Sequence, residues 1–286
     1  MHALTLVSED VLTAFDHPED GDDLDAAIVE VLIQRLANKS LAHRDALIGQ
    51  FVWSGDFSVA AGGSLTSFSC RVGAIGKLFV ADSLGVYRTG SAIESSVTQA
   101  KIEGGGGTLG AVARYWYVYA FLTTLGAVDY AISLTGPSSD KRFKSGDATR
   151  VYVGCFRTLS TGVPLPAHKV GGCYLYRASA LGSNELRVIN VSAATGATNQ
   201  SLAALVPPHA RMAKLTLAAT GDSNEAALSI YYPGDTAAAS ARLYAATGFS
   251  ASAQVDVATD DSQTVDYAVT GSGSPAATVH VAGFYE

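Results

Sequence analysis

The sequence predicts a mainly β protein: a short N-terminal helical segment followed by antiparallel β-sandwich domains. Two observations carry the β assignment. From Phe51 onward, short apolar or alternating runs are separated by Gly, Ser, Thr, Asn and Asp punctuation. Nothing between those runs has the length or period of a crossover helix, which excludes a doubly wound α/β fold. A third observation sets the first fifty residues apart. They hold 10 acids and 3 bases, whereas the remaining chain holds 16 of each.

The N-terminal segment opens with "HPEDGDDLD", carboxylates suited to a helix N-terminus, where they meet free N–H groups and the positive end of the dipole. Leu24, Ile28, Val31, Leu32 and Leu36 then recur at helical spacing. Val29 and Ile33 widen the stripe, so this helix must be covered on several sides. Ser40 caps a second short helix in this reading. One helical hairpin cannot cover itself, which makes residues 1–50 an attachment or oligomerisation segment with those five positions as its seam. Helix capping also accounts for the acids at 20–25, which lack the alternating ligands and distal glutamate of a calcium loop.

Next come the expected strands, in order: "QFVWSGDFSVA", "SFSCRVG", "GKLFVAD", "GVYRTG", "WYVYAFL", "VDYAISLT", "RVYVGCFRT" and "CYLYRAS". They make a Tyr-rich β domain over 51–180. After the break "ASALGSNE" follow "LRVINVS", "AKLTLAAT", "AALSIYY", "ARLYAAT", "SAQVDVA", "TVDYAVT" and "ATVHVAGFYE". These form a C-terminal β-sandwich over 181–286. The densest aromatic stretch is "RYWYVYAF" at 114–121. In a strand, Tyr115, Tyr117, Tyr119 and Phe121 line one face, and Trp116, Val118, Ala120 and Leu122 the other. Tyrosine couples apolar area to a wet hydroxyl, so core packing plus a subunit boundary is the expected role.

Composition narrows the function classes. Of the residues, 48% are hydrophobic and 16% charged, which excludes global disorder. No apolar run is long enough for a membrane span, so no membrane insertion is expected. The N-terminal stretch lacks the basic and apolar regions of a signal peptide. An acidic first segment and a neutral body argue against nucleic acid as partner. Cys70, Cys155 and Cys173 form no CxxC pair and read as buried reduced thiols.

No enzyme motif survives its context, and the expectation is no enzyme, no cofactor and no metal. Gly105, Gly107 and Gly110 satisfy GxGxxG, but the residues that follow alternate like a strand where a dinucleotide fingerprint needs a helix. There is no GxSxG elbow. The six histidines are far apart and show no metal-ligand spacing. His168 and His209, beside proline-containing loops, are expected to be exposed. Asp260 and Asp261 suit a turn.

One composite pattern carries a resemblance. "RYWYVYAF…AISLTGPSSDKRFKSGDATRVYVGCFRT…GVPLP…GGCYLYR" reads as a W-Y-x-V/L-Y strand, an S-x-x-x-P turn, an SGD…R-x-Y-x-G-x-F strand and a closing Y-x-Y strand. The matching positions are Trp116, Tyr117, Tyr119, Pro137, Ser145, Gly146, Asp147, Arg150, Tyr152, Gly154, Phe156, Tyr174 and Tyr176. Over roughly residues 50–180 the chain resembles bacteriophage fibre and spike structural proteins. The resemblance implies a virion protein on the phage particle surface, a homotrimer whose N-terminal segment attaches to capsid or tail proteins while distal β domains face the host. Bacterial surface glycan is then the expected receptor chemistry, and the C-terminal loops with Tyr231, Tyr232, Tyr244 and Phe249 are the candidate contacts. At 286 residues the chain is far shorter than many tail fibres, so a head spike, a short fibre or a decoration protein without receptor binding fits equally. A stand-alone carbohydrate-binding β-sandwich protein and a polysaccharide depolymerase are the readings from other classes.

Overall fold

In the computed structural model the described residues are 52–53, 57–59, 69–72, 75–81, 87–92, 95–104 and 107–286, apart from 124, 126, 142, 178–183 and 223. The expected N-terminal helices, with Leu24, Ile28, Val31, Leu32 and Leu36, lie outside them, as does Gly105.

Among the described residues every regular element is a strand except one 3₁₀ turn, Gln99–Lys101. The early strands are β1 (Val52–Trp53), β2 (Phe57–Val59), β3 (Ser69–Val72), β4 (Ile75–Ala81), β5 (Tyr87–Ala92) and β6 (Ser95–Thr98). The middle of the chain supplies β7 (Tyr115–Leu122), β8 (Val128–Ser133), β9 (Phe143–Lys144), β10 (Asp147–Arg157), β11 (Ala167–Val170) and β12 (Cys173–Tyr176). The last hundred residues supply β13 (Arg187–Val191), β14 (Thr195–Ser201), β15 (Met212–Thr220), β16 (Ala226–Tyr231), β17 (Ala241–Ala245), β18 (Ser250–Ala258), β19 (Thr264–Gly271) and β20 (Ala276–Tyr285).

Among the described residues strand pairing is antiparallel and builds four sheets. Their orders are β1-β4-β5, β8-β7-β10-β9, β14-β19-β16-β17 and β18-β15-β20-β12-β11-β2-β3-β6, with β13 also paired to β20. Every stretch expected as a strand contains one. The strands that escape sequence reading are β6, β9, β11 and β14. Their polar or very short runs ("SSVT", "FK", "AHKV", "TGATNQS") carry no apolar alternation, and pairing with a neighbour makes them strands.

The largest sheet runs across the 180/181 division drawn from the sequence. β20 pairs with β12 through Cys173–Tyr285, Tyr174–Phe284 and Leu175–Gly283, and residues 51–286 cluster as one compact unit. At this junction the Tyr174 and Phe284 rings stack with centroids 4.6 Å apart, and Phe57 meets Tyr174 edge-on at 6.2 Å. Such ring pairs contribute about 0.5–1.5 kcal/mol each beyond area burial.

The aromatic strand β7 is interior to its sheet, between β8 and β10. Both of its faces are covered: Trp116 and Val118 are buried, and so are Tyr117 and Tyr119. The Tyr119 hydroxyl donates inward to the Thr135 carbonyl (2.7 Å), and the Tyr115 and Tyr176 hydroxyls lie 3.4 Å apart. These rings are core within this chain.

Gly154, on β10 opposite Val118, meets the close-approach expectation. A Cβ there would stand 2.7 Å from the Tyr174 hydroxyl and 3.0 Å from the Phe57 ring. The missing side chain lets Tyr174 Oη accept a 3.0 Å hydrogen bond from the Cys155 N–H. Cys70 and Cys155 are buried free thiols, as expected, while Cys173 is half-buried and also free.

Candidate functional site

Five polar side chains meet where β10, β11, the end of β20 and the 202–211 loop converge. Glu286, directly after β20, is the centre. Its Oε2 lies 2.6 Å from Lys169 Nζ on β11, and its Oε1 lies 2.6 Å from His209 Nε2. The Tyr152 hydroxyl on β10 donates to the same Oε1, and Cys155 Sγ stands 3.8 Å from it. The Glu286 and Lys169 side chains are each only 7% exposed.

A change of strand parity puts a carboxylate here. Along β20, Ala277, Val279 and Val281 face inward opposite Ala219, Leu217 and Leu215 of β15. Between Lys214–Gly283 and Leu215–Val281 the register skips Ala282. This bulge inserts one residue and reverses the faces beyond it. Phe284 is therefore buried, Tyr285 turns out to bond Asp256 (2.9 Å), and Glu286 turns in.

Electrostatics keep the cluster closed and charged. Burial opposes ionisation of Glu286, but the His209 hydrogen bond and the Lys169 ammonium overcome it and bring the carboxyl down to about 2. Burial, with the nearby Cys155 and Glu286, pushes the Tyr152 phenol well up, so it stays a donor. Burial and the Glu286 charge push the Cys155 thiol well up, which makes it a neutral packing group and a poor nucleophile. Lys169 also faces the Tyr174 ring at 4.9 Å.

The donor atoms of Cys155, His209 and Glu286 lie within 4.8 Å of one another, residue types that can ligate a metal. The geometry is that of hydrogen bonding. Ligands about 2.0–2.1 Å from a tetrahedral ion stand ~3.3 Å apart, whereas His209 and Glu286 are separated by 2.6 Å. Lys169 already supplies a cation to the carboxylate.

His209 corrects an expectation. Its side chain is 10% exposed, because the loop that carries Pro207 and Pro208 folds inward to deliver it to Glu286. Its ring meets Tyr117 edge-on at 5.7 Å and Tyr152 at 5.5 Å. His168 is exposed as expected, and Asp260 sits in a turn where its carboxylate accepts from the Ser262 and Thr264 N–H groups.

Comparison of the chain with protein-family models, curated proteins and solved structures finds no match.

The candidate receptor contacts separate into two groups. Tyr244 is 60% exposed and Phe249 is 69% exposed, with the Arg242 guanidinium 4.9 Å from the Tyr244 ring. Tyr232 is 45% exposed and Tyr231 is half-buried, at the opposite end of the β16–β17 pair. Ile230 faces Ala241 and Ala227 faces Tyr244, which sets the two groups ~13 Å apart along the strands.

Sequence reading missed the Glu286–Lys169–His209–Tyr152 cluster. Its members are 77 to 134 residues from Glu286 along the chain, and no local spacing signals them.

Proposed function

We propose that the chain is a non-enzymatic structural protein of a bacteriophage or phage-like particle, a homotrimeric fibre or spike that mediates attachment to the host surface. In this reading residues 1–50 dock on capsid or tail proteins, with Leu24, Ile28, Val31, Leu32 and Leu36 as the seam. The last hundred residues form a β-sandwich, a reading supported by β17 lying against both β15 and β18 of the neighbouring sheet, and in this reading they turn toward the host.

The exposure of Phe249 and of Tyr244, the latter with the Arg242 guanidinium over its ring, is the observation that carries this reading. Most large rings of the described residues are packed inside, whereas Tyr244 stands exposed on β17 and Phe249 in the turn that follows it. An adsorption protein needs such anchors in several copies, because weak sites acting together gain avidity. The closed Glu286 cluster suits stiffness. Its thiol is neutral and its carboxylate is matched by an ammonium, which supports a structural role.

Light scattering on the intact chain and on a chain starting at Phe51, with binding of labelled protein to host cells, tests the reading. The expected result is a three-chain mass and cell binding that falls at least tenfold in Tyr244→Ala/Phe249→Ala, with an unchanged unfolding midpoint. A monomer in both preparations overturns the trimer. A trimer that survives loss of residues 1–50 moves the seam into the β region.

A stand-alone carbohydrate-binding protein is the second reading, favoured by a surface pocket beside His209.

A further inference from the structure

We propose that this pocket binds one saccharide residue carrying a carboxylate, an inference that deepens the carbohydrate-binding reading and does not rest on particle attachment. The pocket, of about 370 Å³, opens between the loop at 136–141 and the loop at 208–211, with Tyr117 of β7 in its wall. Its volume falls in the range of small-molecule sites, roughly 300–1,000 Å³.

The first observation is a phenol at the pocket wall with no protein partner. Tyr117 is 6% exposed, and its hydroxyl makes no hydrogen bond among the described residues. Burial, with the nearby Cys155 and Glu286, pushes its phenol up, so the proton stays on. This oxygen is not among the fully buried polar atoms that lack a partner, so it is reachable from the pocket, where a ligand or water can accept its hydrogen bond. The ring is also held in place, since His209, fixed by Glu286, meets it edge-on at 5.7 Å.

The second observation is Gly136. Its backbone is not among the left-handed glycines, so conformation does not demand glycine. A Cβ at this position would lie 3.6 Å from Tyr117 Cζ and 3.7 Å from its hydroxyl. The missing side chain leaves the phenol open to the pocket.

The third is the charge and the donors of the lining. Lys141 stands on one loop and Arg211 on the other, and no acid is among the lining residues. Lys141 adopts a left-handed conformation (φ 60°), with its N–H bonded to the Ser138 carbonyl at 2.9 Å. The neighbouring Asp140 carboxylate accepts from Ser138 Oγ at 2.5 Å. Arg211 pairs with Asp261, but both side chains are largely exposed, and such a pair is weak enough for an incoming carboxylate to compete. Pro137 and Pro208 remove two N–H groups from the lining, which disfavours a phosphate cradled by backbone amides. A phenol donor, the Ser139 hydroxyl and two cations together suit a sugar acid: its hydroxyls on the phenol and serine, and its carboxylate on the cationic rim.

Calorimetric titration of the full chain with methyl β-glucuronide tests this, with methyl β-glucoside and acetate as comparators. The expected result is saturable binding of the glucuronide, at least tenfold tighter than either comparator. Tyr117→Phe should weaken it about tenfold while leaving the unfolding midpoint unchanged, because the lost hydroxyl has no protein partner. Gly136→Val and Lys141→Gln should weaken it as well. If Gly136→Val fails to fold, Tyr117→Phe and Lys141→Gln still decide. Absence of saturable binding, equal binding of glucoside or acetate, or full binding by Tyr117→Phe overturns the proposal.

Discussion

The Glu286 carboxylate is hydrogen-bonded to His209 and ion-paired with Lys169, each at 2.6 Å, and among the described residues the surrounding buried side chains are mostly apolar. Three segments far apart in the chain are tied through one side chain, and the stability of the β region depends on its charge.

That dependence has a defined pH window. The folded carboxyl is held at about 2 against an ordinary 4.5, so its contribution is fully present above the unfolded value. It is lost as pH falls from about 5 toward 2, and amounts to on the order of 3 kcal/mol. Urea midpoints measured between pH 7 and pH 3 should fall for the native chain. The fall should be smaller in Glu286→Gln, which is also less stable at pH 7.

Lys169 and Glu286 should behave as a pair. Lys169→Met leaves a buried carboxylate without its ammonium and should cost about 3–5 kcal/mol. Glu286→Gln in the same chain removes the stranded charge, so the double variant should be more stable than Lys169→Met alone. Additive losses in a double-mutant cycle would show that the ion pair does not couple these residues.

Gly154→Ala should destabilise by ~1–3 kcal/mol, since its methyl meets the Tyr174 hydroxyl and the Phe57 ring. Tyr174→Phe removes the nearest clashing atom but orphans the Cys155 N–H. Gly154→Ala should therefore cost less in the Tyr174→Phe background than in the native one, read from chemical unfolding.

The three thiols should differ in reactivity toward a disulfide reagent at pH 8. Burial pushes Cys70 up to about 12 and Cys155 well above its ordinary value, so both should react only on unfolding. Cys173, half-buried near the surface, should react first. Three equally fast thiols in the native protein would contradict the packing around Cys70 and Cys155.

By itself the sequence determined the strands with apolar alternation, the turns between them and the exclusion of crossover helices. These are local properties: a period of two, β-branched and aromatic residues, and Gly or Asp punctuation. It also marked Gly154 as a close approach and Tyr244 and Phe249 as candidate contacts. Only the tertiary structure decided that "TGATNQS" is a strand, because pairing with β19 outweighs its weak propensity. Only the skipped Ala282 decided that Glu286 faces inward, since one extra residue in a ladder reverses every face beyond it. And only long-range register brought Lys169 and His209 to that carboxylate, and Gly136 over Tyr117, because side chains tens of residues apart share no local pattern.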